Sequence, residues 1–345
     1  MIQSIAGAAA RAKHAELRTA LAPFEHAVGA ASAFQLISTL GLFFAACALM
    51  YATLGISYFL TLALVLPAAG LLVRLFIIQH DCGHGAYFAS RRANDIAGIL
   101  CSVLTLTPYA NWRRQHANHH GNWNNLDRRN TGADIFSVCL TVKEYRALNF
   151  WRRARYRHAR NPILVHLVLP PLLFAALYRW PFDTPAAWRP ERRSVYLTNA
   201  LLVVAFAGAG WLLGFGHVAM VQAPIVVVAA ILGVWLFAVQ HRFGGTLWAR
   251  QEEWDFTAAA LEGSSYLRLP RVLNWFTGSI GFHHIHHLAP RVPNYRLRAC
   301  YDAIPALRAI PPLSVWSALK SVRLALWDED RGRLVGFGDL AAGGA

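Results

Sequence analysis

Two long stretches that carry almost no charged side chain constrain the fold of this chain more than any other feature. Residues 33–78 divide near Gly55, and residues 195–240 divide near Gly214. Each half is close to the roughly 20 residues that an α-helix needs to cross a bilayer. With 56% hydrophobic and 15% charged residues, the chain is predicted to be an all-α, polytopic membrane protein with about four transmembrane helices.

The other segments are predicted to lie on or beside the membrane, within one domain that covers residues 1–345. Residues 1–30 are expected to form an interfacial N-terminal segment, because basic side chains alternate there with alanine and leucine. Residues 161–180 are apolar but contain two consecutive prolines, and we predict that they do not cross. Beyond the last crossing we expect a cytoplasmic helical cap, and residues 332–345 are predicted to be a loose Gly/Ala-rich tail.

The distribution of arginine determines the predicted orientation. The turns near Gly55 and Gly214 contain no Lys or Arg, whereas residues 121–160 are strongly basic. Because basic loops stay in the cytoplasm, we predict a multi-pass protein of the cell inner membrane. The net charge of +15 is assigned to contact with membrane lipids and not to nucleic acid. Arg74, near the end of the second crossing, is expected to extend to the headgroups.

Three clusters of histidine follow the predicted membrane exits on one side of the bilayer. They lie within residues 80–84, 116–120 and 283–287. Spacings of three and four residues place side chains on one face of a helix. Eight histidines have these spacings: His80, His84, His116, His119, His120, His283, His286 and His287. Since a polar ring is costly to bury without a partner, the clusters predict a metal site facing the cytoplasm.

The number of histidines indicates which metal the site holds. Eight exceed the four ligands that zinc usually takes, and they suit two ions sharing one site. Imidazole without thiolate suits iron, copper or zinc, and the ligand count favours a pair of irons. His241 ends the fourth predicted crossing on the same side and is predicted to be a ninth ligand. The other histidines are expected to be ordinary polar residues: His14, His26, His158, His166, His217 and His284.

The three clusters resemble the histidine boxes of the integral-membrane fatty acid desaturases, over about residues 33–300. The segments 275–278 (Trp-Phe-Thr-Gly) and 290–295 (Pro-Arg-Val-Pro-Asn-Tyr) are similar to the bacterial branch that includes omega-6 (delta-12) enzymes. The resemblance implies that the eight box histidines and His241 hold two irons at the cytoplasmic face. His284 occupies a variable position of the third box. The sequence departs from this pattern at Ser279, where relatives often have an amide, and near Gly244, where they often have an acid.

The resemblance also implies the reaction and its partners. Two irons and O2 as co-substrate can remove hydrogen from an unactivated methylene, and the protein supplies positioning and exclusion of water. The expected substrate is a fatty acyl lipid, an acyl-ACP or an acyl-CoA. The expected product carries a new cis double bond in an already monounsaturated chain. Because the sequence shows no heme, iron–sulfur or Rossmann motif, the electrons require a separate donor, and the basic inner surface would attract an acidic, ferredoxin-like protein.

Some neighbours of the clusters have two open interpretations. Asp81, Asp134 and Asp255 either orient imidazole rings through hydrogen bonds or are surface carboxylates paired with arginine. Three tryptophans, Trp112, Trp123 and Trp275, either form a wall of the acyl tunnel or are ordinary interfacial residues.

Two alternative functions remain at this stage. A hydroxylase, ketolase or acetylenase would use the same di-iron scaffold, and the sequence does not show how substrate lies against the oxidant. A histidine-rich metal transporter would carry ionisable residues at mid-bilayer depth, and the predicted crossings lack them. We therefore favour the desaturase.

Overall fold

A computed structural model describes residues 14–129 and 138–342 of the chain. The helices of the first half are α1 (Gly29–Leu54), α2 (Tyr58–Ala63), α3 (Val65–Gly83), α4 (Arg91–Leu104), α5 (Tyr109–Asn122), α6 (Val142–Ala147), α7 (Phe150–Ala159) and α8 (Leu169–Ala175). Those of the second half are α9 (Arg189–Leu213), α10 (Phe215–His241), α11 (Phe256–Glu262), α12 (Arg271–Phe276), α13 (His283–Leu288), α14 (Asn294–Ala303), α15 (Pro305–Arg308), α16 (Val315–Ser321) and α17 (Asp339–Ala342). Short 3-10 turns occur at Ala22–Phe24 and Leu177–Arg179, and a π-helix at Leu164–Val168.

The little β-structure present joins distant parts of the chain. The strands are β1 (Leu140–Thr141), β2 (Tyr266–Leu267), β3 (Pro312–Leu313), β4 (Leu326–Asp328) and β5 (Arg333–Val335). β1 pairs in parallel with β4, which pairs antiparallel with β5, and β2 pairs in parallel with β3. In β5, Leu334 and Val335 are buried. The prediction of a loose tail from residue 332 is therefore wrong for Arg333–Val335, because a strand of three residues is too short to show a recognisable sequence pattern.

Within the described residues, four helical segments are long and apolar enough to cross a membrane. They are α1, the continuous segment Tyr58–Gly83 made by α2 and α3, α9 and α10. The predicted all-α membrane fold with about four crossings is confirmed. Many side chains on α1 and α9 point outward and are apolar, among them Phe34 and Trp211. Such residues suit contact with lipid, since lipid tails are as apolar as leucine.

Residues 161–180 form a bent segment beside α10. The π-helix and α8 meet α7 at an angle of 47°, and the two parts together would pass as one further span. Val165, Leu173 and Tyr178 are buried against Val234 and Ala238 of α10. Just after this segment, Asp183 accepts a hydrogen bond from Gln115 at 2.6 Å. Because Gln115 lies on the helix of the second histidine cluster, this contact supports the prediction that residues 161–180 do not cross.

Two apolar cores are the largest among the described residues. The larger one joins α1, α3, α4 and α10, with Met50, Leu75, Ile78 and Ile225 almost fully buried. The second core lies in the cap, which we define as α11, α13, α14 and α15. Residues 14–21 are helical, and their Leu17 and Leu21 are buried in this second core. The rest of the predicted N-terminal segment, residues 1–13, lies outside the described residues.

Arg74 does not extend to the headgroups as predicted. Its side chain is buried, its Nε donates to Thr39 Oγ1 at 3.2 Å, and its Nη1 donates to the carbonyl of Trp275. The guanidinium carbon also lies 4.3 Å from the centre of the Trp275 ring. A buried cation requires such partners. The prediction was wrong because the carbonyl and the ring come from a segment that is 201 residues away in sequence.

Candidate metal centre

Each histidine cluster lies at or near the end of a helix that packs in one of the two cores. His80 is in the last turn of α3, and His84 follows at its C-terminus. α5 carries the second cluster, α10 ends at His241, and α13 carries the third cluster. Because α3 and α10 pack along each other in the larger core, their ends meet at one level. The cap then covers them with α13.

Five imidazoles form the first group of candidate ligands. One nitrogen from each lies within 4.8 Å of one nitrogen from every other, and the members are His80, His84, His116, His120 and His286. His120 Nε2 lies 3.1 Å from His116 Nε2 and 3.0 Å from His286 Nε2. All three clusters therefore contribute to this group.

A second group forms around His241. It comprises His119, His241 and His287, again with nitrogens within 4.8 Å. His241 Nε2 lies 3.0 Å from His119 Nε2 and also 3.0 Å from His283 Nε2, so His283 adjoins this group. The rings of His120 and His287 stack at 4.1 Å. The two groups are therefore neighbours, and the structure brings all nine predicted residues together.

Six of these imidazoles favour the neutral form. Burial lowers the pKa of His84, His116, His120, His283, His286 and His287 well below the usual value, and neighbouring imidazoles lower it further. A neutral imidazole has one nitrogen that can act as acceptor or metal ligand. The site is therefore prepared to bind a cation without first losing protons.

The buried polar atoms of the site fit metal ions. Several ring nitrogens have no hydrogen-bond partner among the described residues, including His84 Nε2 and both nitrogens of His287. Buried polar atoms are normally paired. His120 Nε2 faces the Nε2 atoms of both His116 and His286. A ring nitrogen carries one hydrogen or one lone pair, so hydrogen bonding suits one of these contacts, whereas a bound cation could accept all three nitrogens. An all-imidazole set in two adjoining groups fits a pair of iron, copper or zinc ions.

Histidines that were predicted to have no ligand role lie outside both groups. His284 is fully buried but faces Tyr266, with ring centres 5.7 Å apart. His217 is exposed and bonds to the Leu213 carbonyl. His14 lies 2.6 Å from Thr257 Oγ1.

The three candidate carboxylates have different outcomes. Asp81 Oδ1 lies 3.0 Å from His80 Nδ1, with both side chains buried, which supports the role of orienting an imidazole. Asp255 instead caps α11 by accepting from the Ala258 amide at 2.8 Å, so the orienting interpretation, one of the two left open for it, is not supported. The side chain of Asp255 satisfies a free backbone amide at the start of its own helix. Asp134 lies outside the described residues.

The sequence analysis missed two residues that bond to Asp81 directly or through one neighbour. Asn294 donates to Asp81 Oδ2 from its backbone amide at 2.6 Å and from Nδ2 at 2.8 Å. Gln35 Nε2 donates to Asn294 Oδ1 at 2.8 Å. Asn294 could have been singled out because it lies in the segment 290–295, which resembles the desaturases. Gln35 could have been noticed only as a single amide side chain in the first crossing.

An apolar cavity of about 170 Å³ leads to the histidines. α3, α8 and α10 supply its apolar walls, with Leu72, Val73, Phe76, Leu173, Val226, Ala229, Ala230, Val234 and Phe237. His80, His116, His119 and His283 line its other end. The cavity thus connects the membrane-embedded part of the protein with both histidine groups.

Two of the three predicted tryptophans line this cavity. Trp112 stacks on His116 at 4.6 Å, and Trp123 lies 4.2 Å from the His287 ring. Trp275 is outside the lining and is 41% exposed. The wall interpretation therefore fails for Trp275, which instead packs beneath Arg74.

At Ser279, where the sequence departs from its relatives, the backbone is in the left-handed conformation. Ser279 has φ +59 and follows Gly278, which has φ +53. An amide residue adopts this left-handed conformation more readily than serine does. An asparagine-like residue at this position in relatives would therefore favour this backbone conformation, in addition to any contact that its side chain makes. Gly244 has no atom within 4 Å of an added Cβ.

Comparison with known proteins agrees with this site. The sequence model of the family described as fatty acid desaturase matches residues 54–317. A protein of Bacillus subtilis named fatty acid desaturase is 41% identical over 325 residues, covering 94% of this chain and 91% of its own length. An sn-1 acyl-lipid omega-3 desaturase (ferredoxin) of Synechocystis is 28% identical, covering 67% of this chain and 63% of its own. A chloroplastic omega-6 fatty acid desaturase of Arabidopsis thaliana is 26% identical, with coverage of 66% and 50%.

The match to the family model covers more than half of the chain, and the Bacillus protein is similar over nearly its whole length. The relatives share the function of desaturation, and the candidate metal centre contains the histidines that resemble the family's boxes. The chain therefore belongs to the fatty acid desaturase family, and it is an oxidoreductase of that family.

Proposed function

We propose that this chain inserts a double bond into a fatty acyl chain in the membrane, using O2 and two irons held by the nine histidines. The observation that carries this proposal is the meeting of two histidine groups at one end of an apolar cavity. Two bound irons would supply, with O2 and electrons, the oxidant that removes two hydrogens from neighbouring methylenes. The five-histidine group would hold one ion, and His119, His241, His283 and His287 the other.

The protein's own residues position the substrate. The apolar side chains of α3, α8 and α10 contact the alkyl chain and exclude water from the methylenes beside the histidines. Phe76 and Trp112, whose ring centres are 5.4 Å apart, form part of the wall next to His80 and His116. A cavity that holds the chain in one place keeps two adjacent methylenes near the metal ions, which favours removal of both hydrogens.

The polar part of the cavity suits the carrier of the acyl chain. Gln115, Asn122, Asn125 and Arg128 line it on the side of α5 and the segment after α5. A phospholipid, an acyl-ACP or an acyl-CoA has a polar group that such a lining would accept. The Synechocystis relative is named as an acyl-lipid enzyme, and this favours a membrane lipid as the substrate here.

We assign the histidine side of the membrane to the cytoplasm of a cell with this protein in its inner membrane. The basic segments on that side support the assignment. An external one-electron donor delivers the electrons there, and a ferredoxin-like protein fits, since the Synechocystis relative is named with ferredoxin. The excess of basic residues would increase the rate at which an acidic donor associates.

Product analysis in a host that makes only saturated and monounsaturated chains tests the proposal. Expression should yield a dienoic acid lighter than its precursor by two hydrogens. His241→Ala should abolish it, whereas His217→Ala, at the opposite end of α10, should retain most of it. A hydroxy, keto or acetylenic acid as main product would assign the scaffold to the alternative chemistry. Equal losses in both variants, at matched expression, would contradict the role of His241.

A further inference from the structure

A chain of buried hydrogen bonds connects the first transmembrane helix with the five-histidine group. His80 Nδ1 lies 3.0 Å from Asp81 Oδ1, and Asp81 Oδ2 accepts from the backbone amide and Nδ2 of Asn294 at 2.6 and 2.8 Å. Gln35 of α1 donates to Asn294 Oδ1 at 2.8 Å, and Asn294 Nδ2 reaches Gln35 Oε1 at 3.3 Å. All four side chains are buried.

The Asp81 carboxylate is held in place by the start of α14. Asn294 is the first residue of α14, and the backbone amides at a helix N-terminus lack partners within the helix. Its amide points at Asp81 Oδ2, where the helix dipole also favours negative charge. A carboxylate that accepts two hydrogen bonds on one oxygen has its other oxygen fixed in direction. That second oxygen is the one that contacts His80.

The side chain of Asn294 is in turn fixed by Gln35 and by tight packing. Gln35 Nε2 donates to Asn294 Oδ1, so the Nδ2 group of Asn294 must face Asp81. A Cβ added to Gly278 would lie 3.3 Å from Asn294 Oδ1 and 2.8 Å from a methyl of Ile77. The surroundings therefore leave Asn294 little freedom to turn, provided that Gln35 remains in place.

We propose that Asn294 and Gln35 are positioning residues of the metal centre, which hold Asp81 so that it fixes the proton of His80 on Nδ1 and directs Nε2 to the metal. The inference rests on the proposed function, because it requires metal at the histidines. Hydrogen bonds that orient a ligating imidazole typically change metal affinity or activity by 10–100-fold when they are lost. Gln35, on the first transmembrane helix α1, acts on His80 through two residues, Asn294 and Asp81.

The arrangement predicts an effect on one ion only. His80 belongs to the five-histidine group, whereas His119, His241 and His287 form the other. Loosening His80 should therefore speed the release of one ion and leave the other unchanged. A general loss of packing would affect both ions and would also lower the melting temperature.

The test uses purified full-length protein loaded with Fe(II) without oxygen, and follows the release of iron to a chromogenic chelator. Asn294→Ala and Gln35→Leu should release about half of their iron faster by roughly 10-fold, with Asn294→Ala the stronger. The remaining half should leave at the wild-type rate. Gln222→Leu is the matched control, because Gln222 of α10 also contacts α1, through Cys47 Sγ at 3.7 Å, but away from the histidines.

The outcomes separate this inference from the proposed function. Wild-type protein that holds no iron would contradict the proposed function itself. Wild-type protein that holds two irons, with unchanged release from Asn294→Ala and Gln35→Leu, would overturn only the positioning role. The positioning role would also be overturned if both halves of the iron left faster, or if Gln222→Leu had an equal effect. Should Asn294→Ala fail to fold, Gln35→Leu, which nearly preserves side-chain volume, decides the question alone.

Discussion

At the scale of single residues, two buried histidines of α13 that are separated by one residue have different environments. His286 and His284 are both almost fully buried, yet only His286 belongs to a group of facing imidazoles. Their positions differ by two residues, which on a helix turns the side chains in clearly different directions. His286 faces the ends of α3 and α5, whereas His284 faces Tyr266 and Tyr301 in the cap. Burial alone therefore does not identify a ligand, but the direction of the side chain does.

We predict that His286→Ala loses metal and His284→Ala does not. His286 Nε2 lies 3.0 Å from His120 Nε2, so its removal takes a nitrogen out of the middle of the five-histidine group. Elemental analysis of the purified proteins should give about one iron per chain less for His286→Ala than for wild type, which is expected to hold a pair. Both substitutions leave a cavity of the same size in one helix. Equal iron in the two variants would contradict the assignment, as would one zinc in wild-type protein.

At the scale of elements, α10 has two functions along one face. Its C-terminal end supplies His241, and its interior supplies Ala229, Ala230 and Gly233 to the cavity wall. Gly233 precedes His241 by eight residues, a rise of about 12 Å along the axis. A Cβ added to Gly233 would have no atom within 4 Å. Small residues at these positions therefore leave the room that an acyl chain needs below the metal centre.

We predict that Gly233→Leu shortens the acyl chains that the enzyme accepts. The leucine side chain would extend into the empty space and fill part of a cavity of about 170 Å³, while Gly233→Ala, the matched control, adds one methyl group to open space. Gly233→Ala should keep the wild-type profile and fold at least as well, since alanine is favoured over glycine in a helix by roughly 0.5–1 kcal/mol. Product chain lengths measured by gas chromatography check the prediction. An unchanged profile in well-folded Gly233→Leu would show that the acyl chain does not occupy this part of the cavity.

At the scale of the whole molecule, features with a local origin were predictable and those with a long-range origin were not. The crossings follow from apolar length, and the nine histidines from their spacing and from where the crossings end. The burial of Arg74 depends on Trp275, which is distant in sequence. Asp81 was a candidate because it adjoins His80, but its hydrogen bond with Asn294, which is 213 residues away, could not be found from neighbours in sequence. The strand β5 pairs with β4 and was missed because three residues are too few to show a pattern. Single-domain organisation of residues 1–345 stays a prediction.

The topology gives the last prediction, that Ala186 lies on the same side of the membrane as the histidines. His119 lies 3.0 Å from His241, and α9 and α10 already form two crossings between them. A further complete crossing by residues 161–180 would put these two histidines on opposite sides. Thr184 also donates to Asn111 of α5 at 2.8 Å, which places the segment before α9 at the histidine end.

Labelling of single introduced cysteines measures this directly, because all five native cysteines are buried. Ala186 is exposed, so Ala186→Cys should react with an impermeant maleimide only in inverted membrane vesicles. Ile56, in the turn between α1 and α2, is 75% exposed, and Ile56→Cys should react only from the opposite side, in intact cells with the outer surface accessible. If Ala186→Cys reacts from the same side as Ile56→Cys, residues 161–180 cross the membrane. That result would contradict the topology with four crossings and the hydrogen bonds of Asp183 and Thr184 with α5.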